Sequence, residues 1–129
     1  MADRQPINPP GNPPVAVPLT PGIKAGGFVF VSGQTGQTMV NGQPVLGKDM
    51  VEQTRYCLDR IKRVVEAAGS SMEKVVKCTV YVTDISQFGA MNDVYKGYFP
   101  NEPPARTTVE VSSLARPGLL VEIEAIALA

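Results

Sequence analysis

The chain has 129 residues, 43% of them apolar and 19% charged, with 12 basic and 12 acidic side chains and a formal net charge of zero. That length suits one domain, and the charge balance lacks the basic excess with which proteins neutralise nucleic-acid phosphates. There is no histidine, so Ser-His-Asp hydrolysis, His-ligated zinc and HExxH proteolysis are excluded, and proton transfer is left to a carboxylate, Lys, Tyr or Cys.

Seven of the 12 prolines lie between Pro6 and Pro21. Proline lacks the N–H that a helix interior or central strand requires. Residues 1–14 therefore read as an extended arm and 15–24 as an edge strand or ordered loop, with residues 15–129 as a single domain. The opening MADRQPINPPGNPP has no apolar signal core, and no run of 18 apolar residues occurs, so the expectation is a cytoplasmic protein without a membrane span. Gly27-Phe28-Val29-Phe30-Val31-Ser32 predicts a buried strand ending at Gly33. Asn41-Gly42, between short apolar stretches, predicts a hairpin.

Asp49 to Ala68 predicts the clearest helix. Asp49 is placed to cap it, Glu52 completes a capping box, and Gly69 ends it. Met50, Val51, Thr54, Cys57, Leu58, Ile61, Val64, Val65 and Ala68 form its apolar stripe, while Arg55, Asp59, Arg60, Lys62, Arg63 and Glu66 take the wet side. Ser70-Ser71-Met72-Glu73 offers a second capping box for a single turn. Val75–Val82 reads as a strand and Ser86–Phe99 as a helix stopped by Pro100. Arg106–Ser112 and Leu119–Leu128 read as strands joined through Arg116-Pro117-Gly118.

The order β-β-β-α-β-α-β-β predicts an α+β fold, a mixed sheet with both helices packed on one face. Along the last strand neither side is cleanly polar, so the second face invites subunit packing and a homo-oligomer is expected. Cys57 and Cys78 sit within apolar patterns and read as small buried hydrophobes in a reducing compartment.

Few residues suggest chemistry. Arg106 follows the stiff Glu102-Pro103-Pro104-Ala105 and fits either a carboxylate clamp or an exposed or intramolecularly paired arginine. Glu122 and Glu124 share an apolar strand, where each is either solvated or buried and paired. Ser32-Gly33 leaves a strand with a hydroxyl and room for close approach. Asn92, Tyr95, Tyr98 and Phe99 line either a pocket or the core. Gly26-Gly27 and Gly33-Gln34-Thr35-Gly36 match no phosphate loop.

Taken together, Lys24–Gln34 (KAGGFVFVSGQ), Val64–Ser71 (VVEAAGSS), Val75–Asp84 (VVKCTVYVTD), Asn92–Pro100 (NDVYKGYFP), Pro103–Val111 (PPARTTVEV) and Val121–Ala127 (VEIEAIA) resemble the RidA/YjgF/YER057c/UK114 family, in the family's order from about Val15 to Ala129. The resemblance implies a chorismate-mutase-like homotrimer with clefts between subunits. It also implies hydrolysis of reactive enamines and imines, such as 2-aminoacrylate, to 2-oxoacids and ammonia. In that setting Arg106 would hold the substrate carboxylate and Glu122 would position water. Ser32, Gly33, Asn92, Thr108, Leu19 and Tyr98 would line the cleft. No metal, cofactor, nucleic acid or membrane is implied. Val17-Pro18-Leu19-Thr20-Pro21-Gly22 departs from the family's Gly-Pro-Tyr-Ser-Gln-Ala-type stretch: Leu19 replaces tyrosine, Thr20 serine and Pro21 glutamine, which implies a shifted substrate preference. Three other functions compete with this one: a non-catalytic binder of small carboxylates, a deaminase of a larger enamine such as an aminomuconate, and the ribonuclease or translation-inhibitor activity attributed to some relatives. Zero net charge, no histidine and no basic run weigh against the last.

Overall fold

A computed structural model describes residues 3–129, leaving residues 1 and 2 of the predicted arm outside the described residues. In chain order the elements are β1 (Gln5–Ile7), β2 (Gly22–Ala25), β3 (Phe28–Thr35), β4 (Gln37–Val40), β5 (Gln43–Leu46), α1 (Met50–Ala67), β6 (Val75–Val82), α2 (Phe88–Tyr98), β7 (Ala105–Glu110) and β8 (Val121–Leu128). Six strands form one sheet in the order β1-β2-β3-β8-β6-β7, while β4 and β5 form a separate hairpin. Only β6 and β7 run parallel, and α2 is their crossover, since parallel neighbours need a long connection.

Local chemistry explains the main elements. Asp49 accepts from the Glu52 backbone N–H at 2.9 Å and caps α1. Glu52 reaches back at 3.1 Å, to the Lys48 N–H rather than to Asp49. Gly69 follows with φ +83°, the left-handed stop that glycine tolerates. Asn41 and Gly42 both have positive φ, as a type I′ turn requires. The stripe of α1 packs on one face of the sheet: Cys57, Leu58, Ile61, Val64 and Val65 meet Val29 and Val31 of β3 and Val121, Ile123, Ala125 and Ala127 of β8. Met91 and Tyr95 of α2 complete the same core. Both helices therefore cover one face, and the α+β architecture is the expected one.

Several details differ from expectation. Within the Pro-rich arm, Gln5–Ile7 pairs with β2, and Pro6 stands opposite Ile23. Proline is tolerated there because β1 is the edge of the sheet. Of residues 15–24, only Gly22 onward is strand. With β1 and both arms of the hairpin counted, five strands precede α1 rather than three. Val51 belongs to the predicted stripe but lies exposed, whereas Gln53 is buried. The Gln53 side chain donates to the Gly47 and Gly118 carbonyls, 2.9 Å each, and accepts from the Leu120 N–H at 2.8 Å, pinning the hairpin and the loop before β8 onto α1. Ser71 makes no side-chain cap to the single 3₁₀ turn at Met72–Lys74. A second such turn, Ile85–Gln87, precedes α2 and is capped by Asp84 accepting from the Ser86 N–H, so that helix begins at Phe88.

Candidate active site

Arg106 sits near the start of edge strand β7, in register with Cys78 of β6, whose side chain belongs to the core. Register partners share a face, so Arg106 points to the helical side of the sheet, under α2. There its Nη1 donates to Asn92 Oδ1 at 2.8 Å. Its guanidinium carbon lies 4.8 Å from the Tyr95 ring centre and 5.4 Å from that of Phe88. Two rings and one amide thus fix a half-buried cation. Among the described residues no other acceptor takes an Arg106 N–H, and four of a guanidinium's five donors remain for a ligand. On the same side of the strand, Thr108 has a buried hydroxyl oxygen without a partner. The buried Tyr95 hydroxyl, beside the Cys78 thiol, also lacks one, and its burial raises the phenol's pKa above the ordinary range. Unpartnered buried polar atoms are uncommon, and here two lie around one cation.

Glu122 is built differently. It is in register with Tyr81 of β6 and Thr35 of β3. The residues on either side of it in β8, Val121 and Ile123, are core, so its carboxylate is on the face that carries no helix. A bulge between Val31 and Gln34 places Ser32 and Gly33 beside it. The carboxylate lies so close to Gly33 that a Cβ there would stand 2.9 Å from Glu122 Cδ. The bulge is held from behind: Ser32 Oγ donates to the Thr20 carbonyl at 2.6 Å, the Ser32 N–H donates to the Pro21 carbonyl at 2.9 Å, and Gln34 Nε2 donates to the Ser32 carbonyl at 2.9 Å. These bonds bring the exposed Leu19 segment to the same corner. Burial pushes the Glu122 carboxyl above the usual glutamate range, Glu124 adds to the rise, and the Arg60 charge opposes it. Glu124 is exposed and accepts from the Tyr81 hydroxyl at 2.8 Å. The two glutamates, equivalent in the sequence, are therefore distinct.

The structure gathers Arg106, Asn92 and Thr108 in one group and Glu122, Ser32 and Gly33, with Leu19 nearby, in another. The groups lie on opposite faces of the sheet, with β6 between their strands. One small molecule cannot touch both within a single copy. Tyr98 joins neither: its hydroxyl donates to Asp59 Oδ1 on α1 at 2.6 Å. The sequence pattern reads Tyr95 as core or pocket and carries Phe88 only within the Ser86–Phe99 helix. The only trace of their role was spacing, since Phe88, Asn92 and Tyr95 recur on one side of a helix. Among the described residues no cluster of three or more Cys, Asp or Glu could hold a metal ion, and no helix is long and apolar enough to cross a membrane.

The fold places the chain in the class of α+β proteins with two helices packed on one face of a mixed sheet, as in the solved L-PSP and YjgF structures. The Endoribonuclease L-PSP family model matches residues 11–129. A RutC family protein of Pyrococcus horikoshii is 47% identical over 110 residues, covering 85% of this chain and 86% of the relative. The crystal structure of E. coli TdcF with bound serine is similar at a TM-score of 0.89 and 34% identity, covering 97% of this chain and 98% of that one. A Mycobacterium tuberculosis member of the YjgF/YER057c/UK114 family is similar at a TM-score of 0.84 and 34% identity, covering 98% of this chain and all of that one. The chain belongs to this family, known by the L-PSP, RidA and YjgF/YER057c/UK114 names.

Proposed function

We propose that the protein hydrolyses reactive 2-imino acids, and the enamines that tautomerise to them, to 2-oxoacids and ammonia, in clefts formed between copies of the chain. The observation that carries this reading is Arg106: a cation fixed by Asn92 and two aromatic rings, with its remaining N–H fork open. Such a fork suits a carboxylate bidentately. The family member TdcF, with bound serine, supports an amino-acid-like ligand.

The chemistry needs little beyond this inventory. Protonation of the enamine carbon gives an iminium that is already electrophilic, so no activated nucleophile is required. Glu122 accepts a proton from water as the water oxygen bonds to the C=N carbon. The protonated Glu122 gives that proton to the nitrogen of the carbinolamine; as the C–N bond breaks and the oxygen lone pair forms C=O, the carboxylate takes the hydroxyl proton and passes it to the departing ammonia, which leaves as ammonium with the 2-oxoacid. A carboxyl pKa raised above the usual glutamate range makes the carboxylate a better proton acceptor than an ordinary glutamate.

Two copies are required because Arg106 and Glu122 face away from each other in one. The helix-free face also exposes Phe28, Phe30, Val76 and Leu128 beside Glu122's strand and its neighbours, apolar surface of the kind that subunits cover. We read the assembly as a homotrimer. Leu19, an aliphatic side chain in the Glu122 corner, favours imino acids larger than 2-iminopropanoate. Zero net charge gives no support to RNA cleavage.

The test is ammonia and 2-oxoacid release from imino acids generated in place by an amino-acid oxidase or dehydratase. Wild type should accelerate release, and Arg106→Ala should lower kcat/KM by about 100-fold or more, the loss of a charged bidentate contact. Saturable binding of 2-oxoacids without turnover would replace this reading with a ligand-binding role.

A further inference from the structure

Arg60 of α1 stands apart from the other charged residues of its helix. The sequence pattern puts it on the wet side, yet its side chain is half-buried and its Nε is fully buried with no partner. Nη1 donates to both the carbonyl and the hydroxyl of Thr35, at 3.2 and 3.1 Å. Thr35 is the residue of β3 in register with Glu122, so the guanidinium is fastened to the rung that carries the candidate carboxylate. Burial lowers the guanidinium's affinity for its proton, and Arg116 and Arg63 repel it. The one carboxylate whose charge favours it is Glu122. Among the described residues the ion pair within 4 Å is Lys96–Asp93 alone, so Arg60 and Glu122 stand farther apart than an ion pair. A desolvated cation held only by a carbonyl and a hydroxyl is costly unless an opposite charge nearby offsets it.

We infer that Arg60 is a positioning residue for Glu122, fixing the Thr35 rung against the Gly33 bulge and placing a positive charge at the rung that carries the carboxylate. This deepens the function proposed above, because it gives Glu122 a partner within its own chain. The other groups facing Glu122 are Glu124 of its own strand, which opposes ionisation, and Tyr81 of β6; the Cys57 thiol of α1, which burial keeps protonated, lies on the other side of the sheet. In the proposed cleft, Arg106 of a second copy joins them and is common to every variant below.

The test is a carbon-13 titration of glutamate carboxyls in the full-length protein, with Glu122→Gln assigning the resonance. In Arg60→Met the Glu122 midpoint should rise by about half a pH unit or more, with Arg60→Gln as the substitute if the methionine variant does not fold. Arg60→Lys, which keeps the charge but not the paired bonds, should hold the midpoint near wild type while lowering thermal stability. If Glu122 titrates unchanged in folded Arg60→Met, or if the lysine variant moves it as far as methionine does, the inference is overturned and Arg60 is only a strut. This readout needs no substrate. Absence of deamination in wild type would therefore overturn the proposed function while leaving the Arg60 result standing. Where deamination is present, the acid limb of kcat/KM should move with the titration.

Discussion

Gly33→Ala isolates the Glu122 corner more cleanly than removal of the carboxylate itself. A Cβ at position 33 would lie 2.9 Å from Glu122 Cδ and 3.1 Å from Cγ, and nearer still to the carboxylate oxygen. Carbon–carbon contact is comfortable only from about 3.5 Å, so the carboxylate has to swing away by an appreciable fraction of an ångström, and its oxygen by more. Misplacement of about 1 Å at a reacting group costs roughly 100-fold in rate, or about 2.7 kcal/mol of barrier. The backbone has no such objection. Gly33 is not among the residues with positive φ, so alanine adds no strain there and reduces the freedom of the unfolded chain. The expected outcome is therefore a kcat/KM for imino-acid hydrolysis lower by about 100-fold, with unfolding free energy in urea changed by less than about 1 kcal/mol. An alanine variant with wild-type turnover would refute the placement of Glu122 at the reacting centre. A comparable fall in stability would show that Gly33 serves the fold instead.

Two further outcomes follow from the same geometry. Gln53→Leu leaves the Leu120 N–H and the Gly47 and Gly118 carbonyls without their partner, and urea unfolding should register a loss of about 3 kcal/mol. Glu122→Gln should stop turnover yet raise the melting temperature at neutral pH. A carboxyl whose folded pKa is raised stabilises the fold fully only below its unfolded value and loses that contribution as pH rises through the folded one. The advantage of glutamine should accordingly vanish as the pH falls below the ordinary glutamate range. A glutamine variant no more stable than wild type at pH 7 would contradict the burial of this carboxylate.

What the sequence made legible was whatever local chemistry decides. α1 from its Asp49 cap to Gly69, the Asn41-Gly42 turn and the Val75–Val82 strand are each dictated by neighbouring residues, and each stands where the pattern put it. Long-range pairing was not legible. Nothing near Pro6 announces that Gln5–Ile7 will meet Gly22–Lys24. Gln53 and Arg60 occupy positions whose helical phase gives no hint of Thr35, Gly118 or Leu120, because those partners arrive from distant segments. The same limit applies to the candidate site. Arg106 and Glu122 stand out locally but take their roles only from family resemblance, and the stacking of Phe88 and Tyr95 on Arg106 follows only from β7 lying beside α2.

The back-to-back disposition of the guanidinium and the carboxylate has a kinetic corollary. Turnover that needs both belongs to no isolated polypeptide, so specific activity should collapse on dilution past the dissociation point of the complex, without any chain unfolding. Two crippled forms, one lacking the cation and the other the acid, would each still contribute an intact half. Co-assembled, they regenerate a fraction of working clefts fixed by simple statistics.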